Sequence, residues 1–230
     1  MRSVDDVSRD IELDRQSRES EIRLLERYLA SAEPEEERKA LRRCIIVVSY
    51  SHFEGFCKFA LTAYLAAINS YNIASSDASI PLVAASMTDI FEALRNESKK
   101  HTIFRKELAN DVDVHRLARQ QAFVSSYEST LASKVVSISE KVVDAKSNLN
   151  AIVLKRNLYA VGLSLDFVEE HRAVIDSLLH VRNSIAHGDT LMDPKPEQML
   201  KYQESMSTIM SRVQQEVLQA LIGRRYLRAG

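Results

Sequence analysis

The sequence predicts an all-α fold, a bundle of four to five core helices with a further helix at its periphery, on three observations. Only 5 Gly and 4 Pro punctuate 230 residues, so turn chemistry for hairpins is scarce. Apolar residues recur at three- and four-residue steps over long stretches, whereas alternating β-branched runs are few. Hydrophobic residues make up 45% of the chain, enough to bury a core in one large domain.

Residues 3–31 read as a charged helix whose apolar stripe is thin: Val7, Ile11, Ile22, Leu25 and Leu29. Asp14 and Arg18 fall where a coiled-coil seam would want apolar groups, so a peripheral helix is favoured over a coiled coil. "SAEPEEER" then stops and restarts the chain, with Pro34 near the first turn and Glu35 to Glu37 where the helix dipole favours acids. The helix that follows, about 35–69, is apolar on two faces. Leu41, Cys44, Ile45, Val48, Phe56, Phe59, Ala63 and Ala67 form one, and Ile46, Phe53, Cys57 and Leu61 the other. Such a helix belongs in the centre of a bundle.

Residues 70–80 read as a loop and 81–96 as a helix. The stretch from about 97 to 150 carries the basic cluster Lys99, Lys100, Arg105 and Lys106, and "ASKVVSISEKVV" within it suits either helix or extended chain. "SNLNAIVLKRNLYAVGLSL" predicts a short helix stopped by Gly162, and 166–187 a strong one opening on Asp166 as N-cap, with Gly188 as the residue after its end. Residues 196–222 repeat Met199, Tyr202, Met206, Ile209, Val213, Val217 and Leu221 as a core-facing helix should. The chain thus divides into a charged N-terminal helix, 1–33, and a bundle, 34–230, whose middle segment at about 97–150 is variable.

Lys plus Arg (31) nearly balance Asp plus Glu (32), so no global field holds nucleic acid and any such contact must be local. No short helix-turn-helix with a basic recognition helix stands out, which disfavours a DNA-binding regulator. The amino terminus lacks an apolar signal core and no run of about 18 apolar residues occurs, so no membrane partner and a cytoplasmic location are expected. Cys44 and Cys57 share one helix, too far apart along it to bridge, and are expected as buried reduced thiols.

The chemistry concentrates in "LLHVRNSIAHGDT", Leu178 to Thr190. A metal centre from His180 and His187 is unattractive: seven residues place them about 10 Å apart along a helix, whereas zinc sits about 2 Å from each nitrogen. No metal and no cofactor is expected. His187 lies in the last turn, beside free carbonyls, and Arg182 offers a planar fork of donors that suits phosphate oxygens. Five residues apart, they lie about 140° apart around the helix. Either the helix end loosens or two chains share the site. The other conspicuous stretch is "SYSHFEGFCKF", where Ser51, His52, Glu54 and Lys58 interrupt apolar surroundings. A buried acid needs a partner, and Arg182 is the candidate for Glu54.

"RNSIAHG" resembles the R-x4-H signature of the HEPN superfamily (higher eukaryotes and prokaryotes nucleotide-binding). With "SHFEGFCKFALTAYL" and "SNLNAIVLKRNLYAVGLSL" upstream, the pattern over about 40–220 is similar to the MAE-type HEPN-like nuclease branch; Phe53 stands where Trp is as readily expected. The resemblance implies a two-fold homodimer that cuts RNA without metal. It implies Arg182 and His187 as catalytic, Asn183 as the residue orienting them and Glu54 as a supporting acid, with His52 and Lys58 as further supporting candidates. It also implies a toxin or effector of a prokaryotic defence or toxin–antitoxin system, with a cognate antitoxin or defence-system partner.

Against these stand plainer readings. Arg182 with His187 can be a structural pair, in which Arg182 satisfies Glu54 and His187 caps the helix, in a noncatalytic module that binds RNA, a nucleotide or a protein. His52 reads better as a satisfied core histidine, and Asp176 with His180, an i,i+4 pair, as a surface hydrogen bond. The Lys99–Lys106 cluster, and Arg224, Arg225 and Arg228 near the C-terminus, are RNA contacts or solvated surface charge.

Overall fold

A computed structural model describes residues 1–133, 135–143 and 148–228. Part of the "ASKVVSISEKVV" stretch and of the segment following it lies outside the described residues. The helices run in the order α1 (Val4–Ser31), α2 (Glu35–Ser70), α3 (Ile80–Ser86), α4 (Thr88–Arg95), α5 (Phe104–Glu107) and α6 (Val112–Ser133). A 3-10 turn (Glu140–Val143) follows, then α7 (Ala151–Ala160), α8 (Asp166–Glu170), α9 (Arg172–Ala186) and α10 (Pro196–Ile222). No strand occurs among the described residues, only isolated bridges between Ala74 and Val135 and between Ala78 and Leu227.

α2 is the axis of the molecule because its sequence leaves it no solvent face of any width. Tyr50, Phe53, Phe56, Leu65 and Ile68 are fully covered, and α1, α9 and α10 all pack on it. α1 and α9 each also touch α10, so α2 and α10 form a pair that the other two complete. α2 contains an 18-residue window apolar enough by composition to cross a bilayer, and half of that window is buried in the bundle. Cys57 is buried as expected, whereas Cys44 is exposed: with Ile45 and Ile46 taking the covered positions, Cys44 falls on the narrow outer edge.

α1 begins with a capping box in which the Ser3 hydroxyl accepts from the Asp6 amide and the Asp6 carboxylate accepts from that of Ser3. Its Val7 and Ile11 are fully buried and its remaining length is mostly polar. Asp14 and Arg18 pair with each other through 2.6 and 2.9 Å hydrogen bonds, and the Arg18 guanidinium lies in the notch left by Gly55, where a Cβ would come 2.5 Å from Nη1. The charged interruption of the stripe is thus an interlock with α2.

Two expectations are corrected. The predicted helix at 81–96 is two short ones, α3 and α4, broken at Met87. The predicted helix at 166–187 is also broken, at His171, whose amide turns back to Val168 and Glu169. Asp166 is the first residue of α8 and Leu165 its cap, with no side-chain hydrogen bond. Phe167 and Val168 of α8 and Ile175 and Leu178 of α9 are all buried on either side of the break. Gly162 stops α7 at φ +73°, as expected.

Leu178→Ala, which empties a fully buried position between α9 and its neighbours, is expected to cost about 2–5 kcal/mol in urea unfolding. Gly162→Ala is expected to cost about 1 kcal/mol or more, because its φ is positive and its new Cβ would lie 3.2 Å from Pro81.

Candidate functional site at the end of α9

The end of α9 is built by a reciprocal pair of backbone hydrogen bonds. Gly188, at φ +87°, donates to the Ile185 carbonyl at 3.1 Å, and Asp189 donates to that of Ser184 at 3.0 Å. This is the Schellman arrangement, and glycine enters it without a Cβ penalty. His187 is the cap residue, its amide bonded to the Asn183 carbonyl at 2.9 Å, and its side chain is exposed. The segment beyond is tied to the start of α2. Arg43 donates to the carbonyls of Asp189 and Met192, both at 2.7 Å. The buried Arg42 donates to the Pro194 carbonyl, to Glu35 and to Asp193. The imidazole therefore projects from a fixed corner.

Arg182 sits one and a half turns inward and half-buried. Its guanidinium lies over the Tyr50 ring, 5.0 Å from the centroid, and its Nη1 donates to Asn183 Oδ1 at 2.9 Å. The ring face attracts the cation, and the amide oxygen sets its plane. Its Nε is buried with no hydrogen-bond partner. Arg182 and His187 of one chain share no contact of this kind among the described residues.

The expected Arg182–Glu54 ion pair does not form. The two act on each other's charge, yet Glu54 Oε1 is buried without a hydrogen-bond partner. The guanidinium instead lies over Tyr50, one turn before Glu54 on α2, and is bonded to Asn183. Burial raises the Glu54 carboxyl above the ordinary carboxylate range, against the opposing pull of Arg182, the Leu149 amide and the exposed Lys58. Burial likewise pushes the Tyr50 phenol up to about 12, with Glu54 adding to it. Leu149 is set over this region by α7, whose first turn is capped by Asn150 and whose Ala151 amide donates to Asp176 of α9.

The structure brings Arg182, Asn183, Glu54 and Lys58 to one face and leaves His52 on another. Two residues along a helix turn about 200°, so His52 points away from Glu54. It lies in the cleft between α1, α2 and α10, with Nε2 at 3.0 Å from Glu21. Burial holds its imidazole below the usual range, Glu21 opposing and Arg18 assisting. Asp176 serves α7 and lies 3.9 Å from Arg172, so the expected Asp176–His180 hydrogen bond is replaced. Arg225 is structural: it binds Glu216, which also accepts from the Ser164 amide.

Sequence reading missed Tyr50, Arg42 and Arg43. Tyr50 carried a signal, its i,i+4 spacing to Glu54, but which tyrosine meets an arginine 132 positions away is a tertiary fact. Among the described residues no group of three His, Cys, Asp or Glu is placed to hold a metal ion.

A carboxyl that binds its proton more tightly folded than unfolded favours the fold while protonated, and that contribution is lost as pH rises through the unfolded and then the folded titration range. Glu54→Gln has no proton to lose. It is expected to melt higher than the parent at pH 7, with the difference vanishing towards about pH 3, where both states of the parent are protonated; thermal scans across that range read it.

No curated protein and no solved structure matches the chain. A family model described as RiboL-PSP-HEPN matches residues 13–219, most of the chain and both stretches that build the site. The match names this family and not the MAE-type branch; HEPN domains are often ribonucleases. The chain therefore belongs to the RiboL-PSP-HEPN family of the HEPN superfamily.

Proposed function

We propose that the protein is a metal-independent endoribonuclease that works as a two-fold dimer with its α9 ends face to face. The observation that carries this reading is the Arg182–Asn183–His187 constellation on one rigidly capped helix end in a chain of this family. Each chain offers one imidazole and one guanidinium that do not meet within it, which is the arrangement a shared site needs.

In the dimer one His187 takes the 2′-hydroxyl proton as that oxygen attacks phosphorus, and the other donates a proton to the leaving 5′-oxygen. The two Arg182 guanidinium groups, already desolvated along one edge and aligned by Asn183 and the Tyr50 ring, stabilise the charge on the phosphorane. The products are a 2′,3′-cyclic phosphate and a 5′-hydroxyl end. Glu54 tempers the positive charge behind Arg182, and Lys58 lies one turn further along the same face. Such an activity suits a cytoplasmic toxin or effector of a prokaryotic defence or toxin–antitoxin system, held in check by a cognate partner.

With end-labelled RNA in EDTA, the parent is expected to cleave, and Arg182→Ala and His187→Ala each to lose about 10²- to 10⁴-fold in rate. A 2′-deoxy nucleotide at the cut site should block the reaction, and light scattering should give twice the chain mass. Undiminished cleavage by both variants would reject the assignment. No cleavage by any sample would leave a noncatalytic binding module.

A further inference from the structure

Residues 88–133 form a helical arm. α4 packs on α6, and the linker between them is stitched down by the buried His115, whose Nδ1 accepts from the His101 amide at 3.2 Å while Nε2 meets the Leu108 carbonyl at 3.0 Å. The arm is anchored at both ends. α3 leads into it, and the chain leaving it pairs with the body through Val136 to Ile73 and through both polar atoms of Asn69 to Ile138.

The α4–α6 seam carries two adjoining hollows, one of about 330 Å³, that share Leu94, Arg119 and Phe123 in their walls. The floor is apolar and aromatic. Phe123 lines both hollows and packs on Phe91, and Tyr127, just beyond their walls, stacks on Phe123 at 6.1 Å and 21° and keeps 44% of its surface exposed. The rim is cationic. Lys99 and Lys100 line one hollow and Arg95 the other, and Arg119, which lines both, donates to the carbonyls of Leu94 and Lys99. None of these four cations has an ion-pair partner among the described residues, although Asp89 and Glu97 also line the hollows.

We propose that this seam holds a single-stranded RNA segment, its phosphates along Lys99, Lys100 and Arg119 and a base stacked on the Tyr127 ring. The choice of RNA rests on the ribonuclease reading above; the demand for a polyanion comes from the cations of the groove, and that for planar groups from the exposed Tyr127 ring beside it. Unpaired cations beside an accessible aromatic face are the two requirements of single-strand binding. An acidic peptide would answer the cations and leave the ring unused. A second copy of the arm would set like charges against each other. The Lys99–Lys106 cluster is thus divided by the structure: Lys99 and Lys100 face the groove, whereas Arg105 and Lys106 lie on the short α5 and line neither hollow.

The test is fluorescence anisotropy of the full chain with a labelled 12-nucleotide 2′-O-methyl RNA, which binds without being cut. The parent should bind. Lys99→Gln with Lys100→Gln should weaken binding about tenfold and lower the slope of log affinity on log salt by about 1.4, roughly 0.7 for each lost phosphate contact. Tyr127→Ala should weaken binding about fivefold or more, and Tyr127→Trp should restore it. All of these residues are exposed, so circular dichroism should stay unchanged. A parent that does not bind, variants that bind like the parent, or an equal loss of affinity for poly-glutamate would each overturn the proposal. Arg182→Ala separates the two claims: it should fail to cut ordinary RNA, while the loss of analogue affinity caused by Lys99→Gln with Lys100→Gln should be of the same size in its background as in the parent. A groove that behaves as expected in a protein that never cuts RNA would retain this surface and reject the nuclease.

Discussion

Everything in this fold answers to the burial of α2. A 36-residue helix with apolar residues on nearly every side cannot be stable until it is surrounded, and α1, α9 and α10 are the surround. The polar groups that α2 still carries then have to be met from other helices or left with strained hydration. Arg42 is met by Glu35, Asp193 and a backbone carbonyl, and His52 faces Glu21 at 3.0 Å. Glu54 is met only partly, and that incompleteness, one turn from Tyr50 and beside Arg182, marks the candidate site.

The site joins two kinds of rigidity. At the end of α9 the backbone itself is fixed, by Gly188 in the left-handed region and by carbonyls held from Arg43. Further inward the side chain is fixed, by the Tyr50 ring beneath Arg182 and Asn183 alongside it. A guanidinium oriented before substrate arrives loses little freedom on meeting a phosphate, and an imidazole on a closed corner can be presented outward without fraying the helix. The arm at 88–133 complements this arrangement. It lies outside the α2–α10 pair, contributes little to the core, and can therefore carry exposed cations and an open tyrosine ring at small cost to stability.

Much of the plan was legible in the chain. Two-sided apolarity identified α2 as the centre, the three- and four-residue rhythm gave α10 its length, and Gly162 and Gly188 announced the helix stops where φ is indeed positive. The R-x4-H signature with its flanking blocks gave the superfamily. These features are local: they depend on periodicity, capping chemistry and the steric freedom of glycine, which neighbouring residues settle among themselves.

Tertiary packing decided the rest. The breaks at Met87 and His171 occur at residues with no helix-breaking chemistry, and helix propensities that differ by a few tenths of a kcal/mol do not announce them. It decided likewise that Arg182 faces Tyr50 rather than pairing with Glu54, and that His52 turns towards α1. The sequence by itself settled the long helices outside about 97–150 and where the reactive groups lie along α9; the fold decided that α6 is a helix and chose the partners, since a side chain's neighbours across a bundle depend on helix rotation and crossing, which periodicity leaves free.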